Sequence, residues 1–378
     1  MMDNKVMQTR KRIAVFGRGA HTIPSYRALL NELSKSFDMV VYSEFPIKEK
    51  FNVCYPIRSV PFESIHRWLI IGWFLLRFGL DHLRKPFSMI HSHSTYPSGK
   101  VALLLKKIWG LPMVVCLDGA EAISIPSISF GDLIKPRKRR INEKAIRGAD
   151  VVTVLTGFQA KGVFSAYPRK QIEIIPRGID ASVIKFKRPN YFGSRPITFL
   201  HVGYLHPVKD PIMLIDCFHL LTKSVSCRLI QVGQDYMNGE VQRHATDLEI
   251  AHLIDFKGFI EHDSIYQYYE SADVLLHTSL FESQAVVVNE AMAHGLLVCG
   301  THVGLLADLA GECCVTVPTG DSKALASKVI ETLADQNSCD RLLAKSKEWL
   351  LLHDLAWTAS RYKEIYDDFF ETGHSKRP

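Results

Sequence analysis

DVLLHTSLFESQAVVVNEAMAHG, residues 273–295, reads as a strand, a turn and a helix in immediate succession. Residues 273–277 form a short apolar run, and the apolar positions from Ser283 to Ala293 predict a helix. Glu282 falls on the turn between them, and Glu290 lies eight residues on, about two turns into the helix. A strand running straight into a helix is the repeating unit of a parallel sheet with crossover helices. The first turn of such a helix offers unpaired N–H groups and the positive end of its dipole to an anion. Glu282 is placed to accept from the hydroxyl groups of a ligand held there. Glu290, set among Val, Ala and Met, needs a partner for its charge. The same pattern also admits Glu282 as a plain helix cap and Glu290 as a solvated side chain.

The strand–helix rhythm extends outward in both directions. Short apolar runs at 12–16, 39–43, 88–91, 113–117 and 151–155 are separated by helix-length segments. The runs at 197–202, 228–232, 254–256, 273–277 and 297–300 repeat the theme. Ten such strands in series predict an α/β protein of two doubly wound, Rossmann-like domains. Charge, Pro and Gly cluster in KFKRPNYFGS at 185–194, which places the boundary there. The expected division is an N-terminal domain over 1–190, a second domain over 191–355 and a C-terminal helix over 356–378. Parallel sheets bind ligands beyond the carboxyl ends of their strands, so the reaction is expected in a cleft between the domains.

Composition narrows the function classes. With 378 residues, 47% hydrophobic and 22% charged, the chain is globular and long enough for two cores. The formal charge of +7 suits an anionic ligand or an anionic membrane surface. No basic tract alternates with aromatics, so no nucleic acid partner is expected. Eight scattered cysteines show no CxxC pair and no histidines at zinc spacing, which favours reduced thiols and a cytoplasmic protein. Residues 1–12 are polar and basic without an apolar core, so no signal peptide is predicted. The segment WLIIGWFLLRFGL (68–80) is too short for the about 20 apolar residues of a bilayer crossing. It fits a core helix or a helix lying on a membrane, with His66-Arg67, Arg84-Lys85 and the basic run at 135–140 as flanking cations. The sixteen histidines show no HExxH, and no DxD follows a strand, so no essential metal is expected.

Several further motifs share one order along the chain. HVGYLHPVKDP (201–211) places Gly203 and Lys209 in a loop after a strand, and IPRGID (175–180) closes the first half. In the first domain, IHSH (90–93) with YPSG (96–99), LDGAE (117–121) and the glycine turn GRGAH (17–21) stand at strand ends. Together with Glu282 and Glu290, this series resembles the retaining group 1 glycosyltransferases, which have the GT-B fold, over roughly residues 12–334.

The resemblance implies transfer of a hexose from a UDP- or GDP-linked sugar to a glycan or lipid-linked acceptor in cell-envelope polysaccharide synthesis. It assigns Glu282 to the sugar hydroxyls, Glu290 to the ribose and Lys209 to the phosphates. Gly203, Tyr204, Ser283, Gln284, Ala285, Val286, Gly17 and Arg18 would line the donor site, and His93 and Tyr96 the acceptor side. Tyr204 stands where many relatives have an arginine, for which Arg177 or Arg18 would be substitutes. Ser283 stands where glycine is frequent. Asp118 stands where relatives carry a histidine near the reacting sugar, and it serves either a ligand hydroxyl or the turn at Gly119. Lys209, Gly203 and His93 have ordinary structural readings as an exposed lysine, a turn glycine and a satisfied core histidine. His91 is expected to point away from His93. No cofactor is implied beyond the sugar nucleotide as co-substrate, and the location implied is cytoplasmic, at the inner face of the membrane if the surface-helix reading holds. A sugar-nucleotide epimerase and a non-catalytic sugar-nucleotide-binding subunit are the alternatives.

Overall fold

The computed structural model describes residues 10–17, 23–47, 52–61, 66–168, 171–186 and 195–372. The first sheet is built from β1 (Arg12–Gly17), β2 (Asp38–Ser43), β3 (Ile57–Ser59), β4 (Met89–His93), β5 (Met113–Leu117), β6 (Val151–Val154) and β7 (Glu173–Ile174). Its strands lie in the order β3-β2-β1-β4-β5-β6-β7, and every pairing is parallel. The runs IAVF in β1 and MVVCL in β5 are buried throughout. A strand covered on both faces has no polar side, which is why these segments read as unbroken apolar runs rather than alternating ones.

Two helical layers supply that cover. On one face pack α2 (Arg67–Arg84), α3 (Ser98–Trp109), α4 (Pro136–Gly148) and α5 (Gly157–Ala166), through Phe74, Phe78, Val101, Leu105, Ile146 and Val163. On the other face pack α1 (Pro24–Ser34) and the last helix of the chain, Leu355–Thr372, through Leu29, Leu30, Tyr362 and Tyr366. That last helix is tied to the 175–180 segment, where Thr358 Oγ1 accepts from Gly178 N at 2.9 Å and donates to Pro176 O at 2.8 Å.

The second sheet comprises β8 (Ile197–Val202), β9 (Cys227–Val232), β10 (Ile254–Gly258), β11 (Val274–His277), β12 (Leu297–Thr301) and β13 (Cys314–Val317). The order is β10-β9-β8-β11-β12-β13, again all parallel. One face carries α6 (Pro211–Thr222), α7 (Glu240–Asp247) and α11 (Ser322–Leu333), packed through Phe218, Val241 and Val329. The other carries α8 (His262–Ser271), α9 (Val286–Ala293) and α10 (Gly304–Asp308), through Tyr269, Met292 and Leu306. Helix α12 (Gln336–Leu352) reaches both cores, with Leu342 in one and Leu350 in the other, and is followed by α13, the Leu355–Thr372 helix.

Both sheets reverse their strand order once, between β1 and β4 and between β8 and β11. Such switch points open a crevice at the strands' carboxyl ends. All ten strands read from the sequence are present. The three it lacked, β3, β7 and β13, are two to four residues long, too short to show a period. Helix α9 begins at Val286, three residues later than expected, because Ala285 adopts φ +74° and cannot continue a helix backwards. Residues 187–194 of the expected linker, and Arg18 with the rest of the turn at 18–21, lie outside the described residues.

Candidate active site

The second sheet's switch point carries a charged cluster. Glu282, in the loop after β11, is ion-paired with Lys209, in the loop after β8. Ser279 Oγ donates to Glu282 Oε1 at 2.7 Å, and His277 Nε2 lies 3.2 Å from that same oxygen. Lys209 also binds Oε1, so three groups converge on one carboxylate oxygen, while Oε2 has no partner among the described residues. Burial alone raises the pKa of this carboxyl group. The Lys209 charge and the His277 contact outweigh it and hold Glu282 far below the usual range, fully ionised.

The two loops are sewn together behind this cluster. Leu280 N donates to Val208 O at 2.8 Å, and Thr278 Oγ1 donates to Lys209 O at 2.9 Å. Gly203 follows β8 and lies against Gly233, where an added Cβ on Gly233 would stand 2.0 Å from Gly203 O. Gly304, at φ +54°, backs Glu282 so closely that a Cβ would lie 2.7 Å from Glu282 Cβ. These approaches leave room for backbone only.

Glu290 is neither solvated nor unpaired. It is 7% exposed on α9, with His262 Nε2 at 3.0 Å from Oε1 and Tyr269 OH donating to Oε2 at 2.7 Å. The hydrogen bond to Glu290 raises the His262 pKa above its ordinary value despite desolvation. Glu282 does not cap α9 either, since that helix has no side-chain cap. Glu282 is thus no helix cap and Glu290 no solvated side chain.

The residues before α9 divide their duties. Gln284 is 2% exposed, and its side chain clasps the main chain of Arg177, accepting from Arg177 N and donating to Arg177 O, both at 2.8 Å. Ser283 Oγ donates to Gly119 O at 3.0 Å, and Ser283 O accepts from Thr156 Oγ1 at 2.8 Å. The main-chain N–H groups of Ser283, Gln284 and Ala285 donate to nothing among the described residues, and Val286 opens the helix behind them. Asp308 of α10 accepts from Gly157 N at 2.6 Å and Phe158 N at 2.8 Å, capping α5 across the cleft. The carboxyl ends of the two sheets thus face each other, and the halves touch around Glu282.

On the opposite wall, the first sheet's switch point brings Gly17 and His93 into register as partners. His93 is 3% exposed, neither ring nitrogen has a partner among the described residues, and burial keeps the ring neutral. It packs edge-on to Tyr26 at 4.2 Å and stacks on His91 at 4.4 Å. His91 therefore shares a face with His93, contrary to expectation, because residues two apart on a strand point the same way. His91 is held by the Tyr366 hydroxyl at 2.5 Å. The Arg177 guanidinium carbon stands over the Tyr26 ring, 3.7 Å from its centre, Nη1 donates to Ser25 Oγ at 3.4 Å, and Nη2, 3.9 Å from Asp118, has no hydrogen-bond partner among the described residues. Burial raises the Asp118 pKa and Arg177 opposes it. Burial, then Asp118, raises that of Glu121, whose Oε2 accepts from Gly119 N at 2.9 Å. Tyr96, half-buried after β4, has the Arg67 guanidinium 5.0 Å from its ring centre. Tyr204 is 50% exposed and packs only edge-on to Tyr236, at 5.5 Å.

Sequence reasoning missed Ser279, His277, His262 and Tyr269. The first two sit within five residues of Glu282 and were legible as polar groups at a strand end. The partners of Glu290 lie 21 and 28 residues away, with no local signal. Among the described residues no three His, Cys, Asp or Glu side chains assemble to hold a metal ion.

Two family models match the chain: Glycosyl transferases group 1 over residues 196–335 and Glycosyltransferase Family 4 over residues 25–183. A D-inositol 3-phosphate glycosyltransferase of Frankia alni is 26% identical over 71% of this chain and 72% of its own length. Relatives of the same name are matched over 52% to 90% of theirs. Among solved structures, sucrose-phosphate synthase from Thermosynechococcus elongatus superposes with a TM-score of 0.81 at 18% identity, covering 96% of this chain and all of that one. Anabaena HepE in complex with UDP and glucose gives 0.75 at 17%, covering 95% and 100%. The GT-B fold is shared with both.

Proposed function

The chain belongs to the group 1 glycosyltransferases, and from that premise we propose that it transfers a hexose, with retention of configuration, from a nucleoside diphosphate sugar to a glycan or lipid-linked acceptor of envelope polysaccharide synthesis. The observation that carries the reading is the divided Glu282 carboxylate. Oε1 is taken by Lys209 and Ser279, with His277 Nε2 3.2 Å away, and Oε2 is left to accept from a sugar hydroxyl.

Lys209 has three N–H donors, one of them committed to Glu282, so two remain for the diphosphate. Charge grows on that diphosphate as its bond to the sugar breaks. Fixed donors already aimed at it stabilise the transition state more than the ground state. The free N–H groups of Ser283, Gln284 and Ala285 at the start of α9 supply such donors. Glu290, held by His262 and Tyr269, retains lone pairs for the ribose. Gly203 lets the donor approach the backbone, and Tyr204 flanks it. Arg177, with one unpartnered nitrogen beside Asp118, is the cation that stands in for the arginine missing at position 204. His93, Tyr96 and Asp118 form the acceptor side.

The acceptor hydroxyl attacks the anomeric carbon on the face the phosphate leaves. The carbon–phosphate-oxygen bond breaks, the new glycosidic bond forms, and the acceptor proton passes to the departing phosphate oxygen. No residue need act as nucleophile, no metal is required, and the sugar nucleotide is the sole co-substrate. That Anabaena HepE was solved in complex with UDP supports a UDP-sugar as the donor to test first.

A panel of UDP- and GDP-sugars, incubated with acceptor and with chelator, tests the reading. Transfer predicts free nucleoside diphosphate and a glycosylated product at a rate unchanged by chelator. Interconverted sugar without release would establish an epimerase instead, and binding without turnover an inert subunit.

A further inference from the structure

We propose that the outer surface of the α2–α3–α4 layer docks on an anionic lipid bilayer, seating the chain so that a lipid-linked acceptor reaches Tyr96 at the mouth of the cleft. The acceptor half of this statement rests on the transfer reading above, and the docking half stands on its own observations.

Helix α2 is apolar on both sides. Ile70, Phe74 and Phe78 point into the first core. Trp68, Leu76, Leu80 and Leu83 form a stripe along the opposite side and are 68%, 66%, 43% and 72% exposed, with Ile108 of α3 at 64%. Gly72 falls in the same row and leaves the stripe unbroken. Side chains this exposed contribute little to folding, and a continuous apolar ridge on a surface marks a contact site. No described helix is long and apolar enough to cross a membrane, so the contact is one in which a helix lies flat.

Charge selects the partner. The helices carry twelve Lys and Arg, three on α2, three on α3 and six on α4, against the two acids Asp81 and Glu143. That is a net +10 in a chain whose total is +7, so everything else sums to −3. Arg84, Lys100, Lys107, Arg140 and Lys144 are exposed and make no ion pair among the described residues. An apolar ridge on α2 beside the cations of α3 and α4 matches a bilayer interface, where acyl chains take the ridge and anionic headgroups take the cations. A second copy would set two such positive faces against each other, which disfavours self-association through this layer.

The placement joins surface and site. Arg67 opens α2 and covers the ring of Tyr96, which follows β4 at the carboxyl end of the first sheet. The stripe therefore starts at the acceptor mouth and runs away from it.

Flotation of the full chain with phosphatidylglycerol–phosphatidylcholine vesicles, and with phosphatidylcholine alone, tests the docking. Association is expected to be about tenfold or more tighter on the anionic vesicles and to weaken with salt. Tryptophan emission should shift to the blue on binding, a shift lost in Trp68→Phe. The double variant Leu76→Glu/Leu80→Glu should lose about tenfold or more of the binding, with circular dichroism and nucleotide release to a water-soluble acceptor unchanged. Failure of the unmodified chain to float, equal flotation of the variant, or self-association abolished by the variant would each overturn the proposal. Vesicle binding without nucleotide release from any donor would remove the transfer reading alone. Nucleotide release without flotation would remove the docking alone.

Discussion

Replacing Glu282 by Gln isolates the charge of the carboxylate while keeping its size. Lys209, Ser279 and His277 all address Oε1. The amide oxygen of the glutamine satisfies them best, which turns the NH2 group toward the position of Oε2. The sugar hydroxyl then meets a donor instead of an anionic acceptor. A hydrogen bond to a charged group contributes about 1.5–3 kcal/mol. At about 1.4 kcal/mol per decade, kcat/KM should fall between about tenfold and about 150-fold. Lys209→Ala should cause a loss of similar size. Because the two side chains form one pair, the double variant should lose less than the sum of the single losses, by about 0.5 kcal/mol or more. Initial rates of nucleotide release measure all three, with thermal melts to confirm folding. A folded Glu282→Gln enzyme within about twofold of the parent, or strictly additive losses, would refute the reasoning.

Three further outcomes follow from the same contacts. The raised pKa of His262 means that its pairing with Glu290 stabilises the fold fully below about pH 6.5 and is lost as pH rises through that raised value. His262→Gln should therefore lower the melting temperature more at pH 6 than at pH 8.5, and a deficit independent of pH would contradict the assignment. Gln284→Ala leaves the buried N–H of Arg177 without an acceptor, while Arg177 O keeps Asn289 at 2.9 Å, so a loss of about 1–3 kcal/mol is expected in urea denaturation. Gly304→Ala places a Cβ at φ +54° and 2.8 Å from Gln284 O, which should displace Glu282 and depress both stability and kcat/KM. Unchanged kinetics in that variant would show that the loop absorbs the intrusion.

The first-order layout was legible because buried parallel strands are written locally as apolar runs such as MVVCL in β5. Short edge strands such as β7, two residues long, carry no such signal. The start of α9 was misread for a different reason, since nothing in an alanine announces the positive φ of Ala285. Within the site, Glu282 and Lys209 were identifiable from their places after strands, and the sheet topology brings the two loops together. Gln284 was assigned to the donor through its main-chain N–H, and its side chain has a separate role on the Arg177 backbone, 107 residues distant in sequence. A long-range clasp of this kind depends on how the halves meet, which no window of sequence expresses. The core-helix reading of the 68–80 segment holds for one face of α2, and its other face is the exposed apolar stripe from which bilayer docking is proposed.

The most direct measurement is a crystal structure of the protein with an intact nucleoside diphosphate sugar. The diphosphate should lie between Lys209 and the start of α9, with a hexose hydroxyl on Glu282 Oε2 and the ribose on Glu290. A sugar nucleotide found bound away from Glu282 and Lys209 would contradict the account.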